Sequence, residues 1–345
     1  MTTELVLFVL IIGLALAFDF LNGMNDAANS IATIVSTRVL KPRWAVAWAA
    51  FFNFIAAFGF GTYIAKAISG GIVKPDVLDN WVLLSTLVGA VIWTHVCTQL
   101  GLPISVSHSL IGGLIGAGIT KGGLDALIIA NFLQTKIFTT ALFIVLSPLI
   151  GLALGLAIMV VTLWVVRRQP PIRVDKWFRK LQLLSAAAFS FGHGTNDAQK
   201  TMGIIVGLLY ATNLSLPTWL YDRAHGMYVP FWVVILCHFF IAMGTLFGGW
   251  KVIRTLGIRV TKLQPIGGFC AETAAAMTLM FTANFGIPVS TTHTITGAIM
   301  GVGTAKRLSA VRWGVARRII WAWLLTIPCS ALVAAAVYWL LARIR

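Results

Sequence analysis

Of ten acidic residues in this 345-residue chain, four lie inside long apolar runs: Asp19, Asp26, Asp197 and Glu272. An ionised carboxylate at the centre of a bilayer costs about 3 kcal/mol or more unless it is paired or hydrated, so each of the four is a candidate for chemistry that requires it. Two of them close the same dipeptide, Asn25-Asp26 and Asn196-Asp197, with Gly23 and Gly194 two residues earlier. Glycine lets a backbone turn, and Asn and Asp cap a helix that follows. Carboxylates and freed carbonyls at such a break suit a hard cation such as Na⁺, while half-helix N-termini present N–H groups to an anion. A single Asn-Asp pair reads equally well as a plain N-cap. Two at related positions favour a site, with Asp26 and Asp197 as Na⁺ candidates.

A second pair of motifs carries donors. Pro103-Ile104-Ser105-Val106-Ser107-His108 and Pro288-Val289-Ser290-Thr291-Thr292-His293 each follow a Gly-x-Pro break and open a Gly-rich apolar run. Proline is tolerated at the first helical position and leaves the next N–H groups free. Hydroxyls of Ser105, Ser107, Ser290, Thr291 and Thr292 then gather with N–H groups at a helix end, a donor set suited to a tetrahedral oxyanion. The competing reading is Ser and Thr bonding back to carbonyls of their own helix. For His108 and His293, contact with the anion and a structural hydrogen bond between helices both stay open. Asn25 and Asn196 join the anion candidates. Lys200, one turn after Asp197, either neutralises an anion or pairs with Asp197. Glu272, in a run of small residues, is read as a cation or coupling residue, and Asp19 caps or pairs near the first break.

Such residues need a membrane scaffold, and the composition provides it. The chain is 59% hydrophobic and 10% charged, with a mean hydropathy of +0.90, whereas a soluble domain carries about 25% charged residues. That excludes a soluble enzyme, a nucleic-acid binder and a disordered chain, and leaves room for about ten spans of ~20 residues. Apolar runs at 5–21 and 26–40 flank one Asn-Asp pair, and runs at 181–196 and 198–210 flank the other. Each couple is read as one broken helix. The loops 38–43, 167–180, 251–262 and 306–318 hold 18 of the 26 basic residues. This bias places them in the cytoplasm and both termini outside a cell membrane. The net charge of +16 is thereby assigned to cytoplasmic loops. Four cysteines without a Cys-x-x-Cys pair read as small buried hydrophobes. There is no Walker motif or His-Glu-x-x-His, so an enzyme is not expected.

The chain also resembles itself. A shift of 171 places Phe18, Phe20, Gly23, Asn25, Asp26 and Ala27 on Phe189, Phe191, Gly194, Asn196, Asp197 and Ala198. A shift of 185 places Gly101, Pro103, Ser105, His108, Gly112, Gly116 and Gly118 on Gly286, Pro288, Ser290, His293, Gly297, Gly301 and Gly303. The charge map has the two Asn-Asp helices entering from opposite sides, so the repeats are inverted, which is the signature of a secondary transporter. The expected fold is an all-α polytopic membrane protein. It has two inverted repeats, broken helices, and Pro-Ser-rich half-helices or hairpins at the midplane. Residues 1–166 form the first repeat, 167–180 a basic cytoplasmic linker, and 181–345 the second repeat.

At Phe18–Leu40, Gly101–Gly118, Gly192–Gly207 and Gly267–Gly303 the sequence resembles the inorganic phosphate transporter family, bacterial low-affinity type. The resemblance covers nearly the whole chain. It implies import of inorganic phosphate with Na⁺ or H⁺, by alternating access and in some members as a metal–phosphate complex, with no cofactor beyond the coupling cation. The family also holds sulfate permeases, so sulfate is the alternative anion, and a passive anion channel is the alternative in kind. Two departures are visible: many bacterial members carry His where Asn25 stands, and some carry an acid where Asn53 stands. Asn53 is therefore added to the cation candidates. Expected partners are phosphate and membrane lipid, with a second copy of the chain and a cytoplasmic accessory protein at the basic loops as further candidates. Nucleic acid is not expected.

Overall fold

The structure is a computed structural model that describes residues 3–59, 61–68, 72–74, 76–129, 135–212, 214, 216–226, 228–287 and 289–344. Pro288 of the second donor motif and Arg345 lie outside these. Among the described residues there are twelve α-helices and no strand beyond one isolated bridge, Val73 with Leu127. In chain order they are α1 (Thr3–Ser36), α2 (Pro42–Ile55), α3 (Tyr63–Ile68), α4 (Asn80–Leu100), α5 (Val106–Gly122) and α6 (Lys136–Val166). The second half holds α7 (Pro171–Ala211), α8 (Phe231–Phe247), α9 (Trp250–Arg254), α10 (Pro265–Asn284), α11 (Thr291–Lys306) and α12 (Trp313–Ile344). Proline opens α2, α7 and α10, where its missing N–H would have had no helical partner.

Among the described residues, α1, α4, α6, α10 and α12 are each long and apolar enough to cross a bilayer, and α8 joined to α9 makes a sixth, bent by 64°. The outer surface matches that solvent. Val145, Leu149, Val161 and Trp164 of α6 and Trp321, Leu325 and Leu332 of α12 are exposed. The interior is where the polar groups are: Asp19, Asn22, Asn25, Asp26, Asn29, Ser30 and Thr33 line one buried face of α1. Helical backbones bond internally, so lipid meets only side chains, and the polar side chains turn away from it.

The two Asn-Asp segments do not break their helices. α1 runs for 34 residues through Asn22–Asp26 and α7 for 41 through Gly192–Asp197, roughly 51 and 62 Å at 1.5 Å per residue. Gly23 and Gly194 serve close crossing instead of turning. A Cβ at Gly23 would run into the Ile241 carbonyl of α8, and one at Gly194 into the backbone of Asn53 on α2. Removing the side chain there lets helices touch backbone to backbone, which outweighs glycine's helix penalty of about 1 kcal/mol. Of the expected linker 167–180, residues 171–180 are the opening turns of α7.

The real interruptions lie at the Gly-x-Pro motifs. α4 ends at Gly101 (φ 70°) and α10 is followed by Gly286 (φ 62°), a left-handed conformation that only glycine adopts freely. Leu102 N–H then bonds Cys97 O at 2.9 Å, and Ile287 N–H bonds Thr282 O at 3.0 Å, the same capping closure in both copies. Short segments follow, and α5 and α11 start at Val106 and Thr291. Pro103 thus sits two residues before the N-cap, not at the first helical position. Its ring keeps the preceding backbone from continuing α4.

Packing follows the repeat. α1 packs along α8 and its counterpart α7 along α2, while α5 packs along α12 and its counterpart α11 along α6. The glycine spacing seen in the sequence makes two of these crossings. Gly112 and Gly116 rest on Ile327 and Ala331 of α12, and Gly297 and Gly301 rest on Pro148 and Leu152 of α6.

Candidate functional site

The α5 and α11 starts bring their donor motifs against α1 and α7. Ser105 and Ser290 are the N-caps, each Oγ accepting from the N–H three residues on, His108 at 3.4 Å and His293 at 3.2 Å. Each hydroxyl keeps its own hydrogen to donate. Next to them Asp26 and Asp197 converge. Thr291 Oγ1 lies 3.2 Å from Asp26 Oδ2 and 3.3 Å from Asp197 Oδ2, and Thr292 Oγ1 lies 3.2 Å from Asp26 Oδ1. Lys200 Nζ meets Asp197 Oδ1 and Ser107 Oγ, both at 2.5 Å, and the Val289 carbonyl at 3.2 Å. All of these side chains are buried.

His193 completes the cluster. Its Nε2 stands 3.6 Å from Asp26 Oδ2 and 3.3 Å from Asp197 Oδ2. A chain of bonds sets its tautomer. Thr245 Oγ1 donates to Ile241 O at 2.9 Å and accepts from Asn53 Nδ2 at 2.9 Å, which turns Asn53 Oδ1 toward His193 Nδ1 at 3.2 Å. Nδ1 then carries a proton, and Nε2 faces two carboxylates. One ligand atom from each of Asp26, His193 and Asp197 lies within 4.8 Å of the others. Two carboxylates converging beside one imidazole nitrogen call for a positive charge among them.

Other expected residues fall around this centre. Asn25 Nδ2 donates to Thr98 Oγ1 at 2.7 Å, and Asn196 Nδ2 donates to Gly192 O at 3.0 Å and Leu279 O at 3.2 Å. Asn196 uses both amide donors on backbone carbonyls and Asn25 one of its two on a hydroxyl, and each keeps a buried Oδ1 without a partner, an acceptor that suits a cation. The rings of His108 and His293 pack edge to face with centroids 5.0 Å apart, and His293 stacks on Trp323 at 3.9 Å. Asp19 and Glu272 stand apart from the centre. Asp19 accepts from Thr201 at 2.9 Å. Glu272 accepts from Thr33 and Ser185, both at 2.5 Å, and from Gln182 at 3.1 Å. Since Asp19, Asp26 and Thr33 are seven residues apart on α1, the three carboxylates follow that helix at steps of roughly 10 Å.

The structure adds residues that the sequence reading passed over. His193 is the main one. Its signal was available, because it occupies the repeat position of Asn22 and lies one helical turn before Asp197. Asn29 is another, donating to Thr292 Oγ1 at 2.9 Å.

Residues 22–173 and 166–334 match the Phosphate transporter family. The chain belongs to this family. Relatives of this phosphate transporter extend over nearly its whole length. It is 52% identical over 332 residues to a "Probable low-affinity inorganic phosphate transporter" of Rhizobium meliloti (strain 1021), covering 96% of each chain. It is 40% identical over 339 residues to a protein of the same description from Bacillus subtilis (strain 168), covering 98% of each. Among solved structures, one described as "The sodium-dependent phosphate transporter" superposes with a TM-score of 0.83 at 27% identity, covering 99% of this chain and all of that one. The transporter is thus a membrane protein and not an enzyme.

The two capping serines carry a prediction. Ser105→Ala and Ser290→Ala should each lower stability by about 1 kcal/mol through loss of the cap, read as a lower melting temperature. They should also weaken phosphate affinity by roughly 5- to 100-fold if the remaining hydroxyl hydrogen faces the anion. A lower melting temperature with unchanged affinity in both variants would leave these serines as caps alone.

Proposed function

We propose that this transporter imports inorganic phosphate together with Na⁺ by alternating access. The observation that carries this is the convergence of Asp26, Asp197 and His193 Nε2 beside the N-termini of α5 and α11. The helix ends and the hydroxyls of Ser105, Ser107 and Ser290 attract an oxyanion. The two carboxylates repel it, by about 3 kcal/mol per pair of charges at ~5 Å and an effective dielectric near 20. Lys200 already offsets Asp197, and a cation held against Asp26 turns the remaining repulsion into attraction, so each ion is bound well only in the company of the other. That mutual dependence is what symport requires. Na⁺ is favoured by the carboxylate and hydroxyl oxygens gathered at Asp26 and Asp197 and by the sodium dependence named for the superposing structure. His108 and His293, packed on each other, brace the two half-helices. Asp19 and Glu272 serve as way stations for the cation along α1.

The deciding experiment is uptake of labelled phosphate into proteoliposomes with Na⁺ and pH gradients imposed separately. Accumulation driven by inward Na⁺ and competed by phosphate above sulfate is expected. Accumulation driven only by pH makes H⁺ the coupling ion, equilibration without accumulation makes the protein a passive pore, and equal competition by sulfate removes the anion assignment.

We also propose that the two halves, 1–166 and 181–345, are inverted across a cell membrane with both termini external. The paired exchange of helix contacts and the distribution of basic loops support it. Cysteines placed at Lys41 and Lys262 should then be protected from a membrane-impermeant thiol reagent in intact cells, in a background lacking the native cysteines. Cysteines at Lys74 and Thr218 should be labelled. Equal labelling at 41 and 218 would make the repeats parallel.

A further inference from the structure

We propose that the Lys200 ammonium is a built-in cation that takes the place of one of the two coupling ions the repeated architecture provides for. This inference rests on the reading of Asp26 and Asp197 as the cation-binding carboxylates.

Three oxygens surround Lys200 Nζ: Asp197 Oδ1, Ser107 Oγ and the Val289 carbonyl, at 2.5, 2.5 and 3.2 Å. An ammonium has three N–H donors, and each finds one acceptor. A carboxylate, a hydroxyl and a backbone carbonyl are also the ligand types of a hard monovalent or divalent cation. The repeat supplies a second copy of this oxygen set. Under the shifts of 171 and 185, Asp197 corresponds to Asp26, Ser107 to Thr292 and Val289 to Ile104. These three counterparts are also together, with Thr292 Oγ1 lying 3.2 Å from Asp26 Oδ1 and 3.0 Å from Ile104 O.

The two copies differ in the residue that fills them. The counterpart of Lys200 is Asn29. Its amide nitrogen donates to Thr292 Oγ1 at 2.9 Å, while its buried Oδ1 has no hydrogen-bond partner. So the Asp197 copy contains a positive charge on the chain, and the Asp26 copy contains a neutral residue that contributes one more acceptor oxygen. Among the described residues Lys200 is the one lysine or arginine that is fully buried. Its charge is withdrawn from solvent and held by these three oxygens, so it acts inside the site. The exchangeable ion then loads the Asp26 side, next to Thr292, Ile104 and Asn29. The Asp197 side is neutralised permanently, and transport needs one ion fewer from solution than a chain with Asn in both places.

The test compares the full-length wild type with Lys200→Asn, which gives both copies the same residue. Each is purified, reconstituted in proteoliposomes and supplied with ²²Na⁺ and labelled phosphate. Lys200→Asn is expected to carry one more Na⁺ per phosphate, with a Na⁺ activation curve one Hill unit steeper. Lys200→Arg keeps the charge and should keep the wild-type ratio. An active Lys200→Asn with an unchanged ratio overturns the proposal. So does a Lys200→Asn that is monodisperse with a wild-type melting temperature but binds no labelled phosphate at saturating Na⁺, since Lys200 would then be an anion contact. If Lys200→Asn does not accumulate, the Na⁺-to-phosphate ratio of Lys200→Arg decides: the wild-type ratio at whatever rate it transports supports the built-in charge, and a raised ratio overturns it. Asp26→Asn is run alongside. Wild-type coupled uptake there would remove the underlying carboxylate reading, whatever Lys200 does.

Discussion

Asp26→Asn and Asp197→Asn should each cut phosphate uptake in proteoliposomes by at least about 100-fold. Hydrogen bonds to a charged group contribute about 1.5–3 kcal/mol each, and every 1.4 kcal/mol is a factor of about ten. Asp26 accepts from Thr291 and Thr292 and faces His193. Asp197 faces Thr291, His193 and Lys200. An Asn at either position keeps the shape, removes the charge, and turns an N–H₂ group toward neighbours that already donate. The two variants should differ in stability. Asp197→Asn strands the buried Lys200 ammonium, and breaking a buried pair costs about 3–5 kcal/mol, so this protein should accumulate poorly or melt many degrees lower. Asp26→Asn strands no lysine and should melt less far below wild type than Asp197→Asn. Uptake near the wild-type rate in either variant would return these carboxylates to a purely structural part.

Gly116→Leu and Gly301→Leu form the second large prediction, and the effect is on folding. A Cβ at Gly116 would lie on the Ala331 carbonyl, and one at Gly301 on the Leu152 carbonyl. Backbone cannot swing aside as a side chain does, so a leucine forces α5 from α12, or α11 from α6. Overpacking costs about 1–3 kcal/mol where side chains can yield, and more where they cannot. Against a total stability of about 5–15 kcal/mol, either variant should lose most of its monodisperse peak in detergent. Gly314→Ala is the control, because a Cβ there meets nothing within 4 Å and should leave the peak unchanged. A monodisperse Gly116→Leu with a wild-type melting temperature would show that α5 and α12 have room to part.

Much of the candidate cluster is readable in the sequence. Asp26 with Asp197, and Ser105 with Ser290, stand out because each motif occurs twice and because a carboxylate in an apolar run needs a reason. The placement of the interruptions was only half readable. At Gly101 and Gly286 the following Pro-x-Ser decides locally, since proline blocks continuation and serine caps what comes next. At Gly23 and Gly194 nothing local decides. A glycine before Asn-Asp is compatible with a turn or with a crossing, and the partner that settles it, Ile241 or Asn53, is on a distant helix. His193 was missed for a similar reason. Its part depends on Asn53 and Thr245 fixing its tautomer, and neither lies near it in the chain. Asn25 and Asn196 were expected to meet an anion. Which end of an amide stays free is decided by Thr98 and Leu279 on other helices.

The exchanged packing of α1 on α8, α7 on α2, α5 on α12 and α11 on α6 bears on how the chain is made. When residues up to Val166 have left the ribosome, α1, α5 and α6 have been inserted, but the helices they pack against most heavily have not been synthesised. The acids and amides of α1 must wait in the bilayer with lipid, water or insertion machinery as company. Only as α8, α11 and α12 arrive can the first half close, and it closes around the second. Biogenesis therefore has a late commitment step, and a chain truncated after the first half should be a substrate for membrane quality control. By the same argument the two halves, expressed as separate polypeptides, should reassemble, because each carries the missing surface of the other.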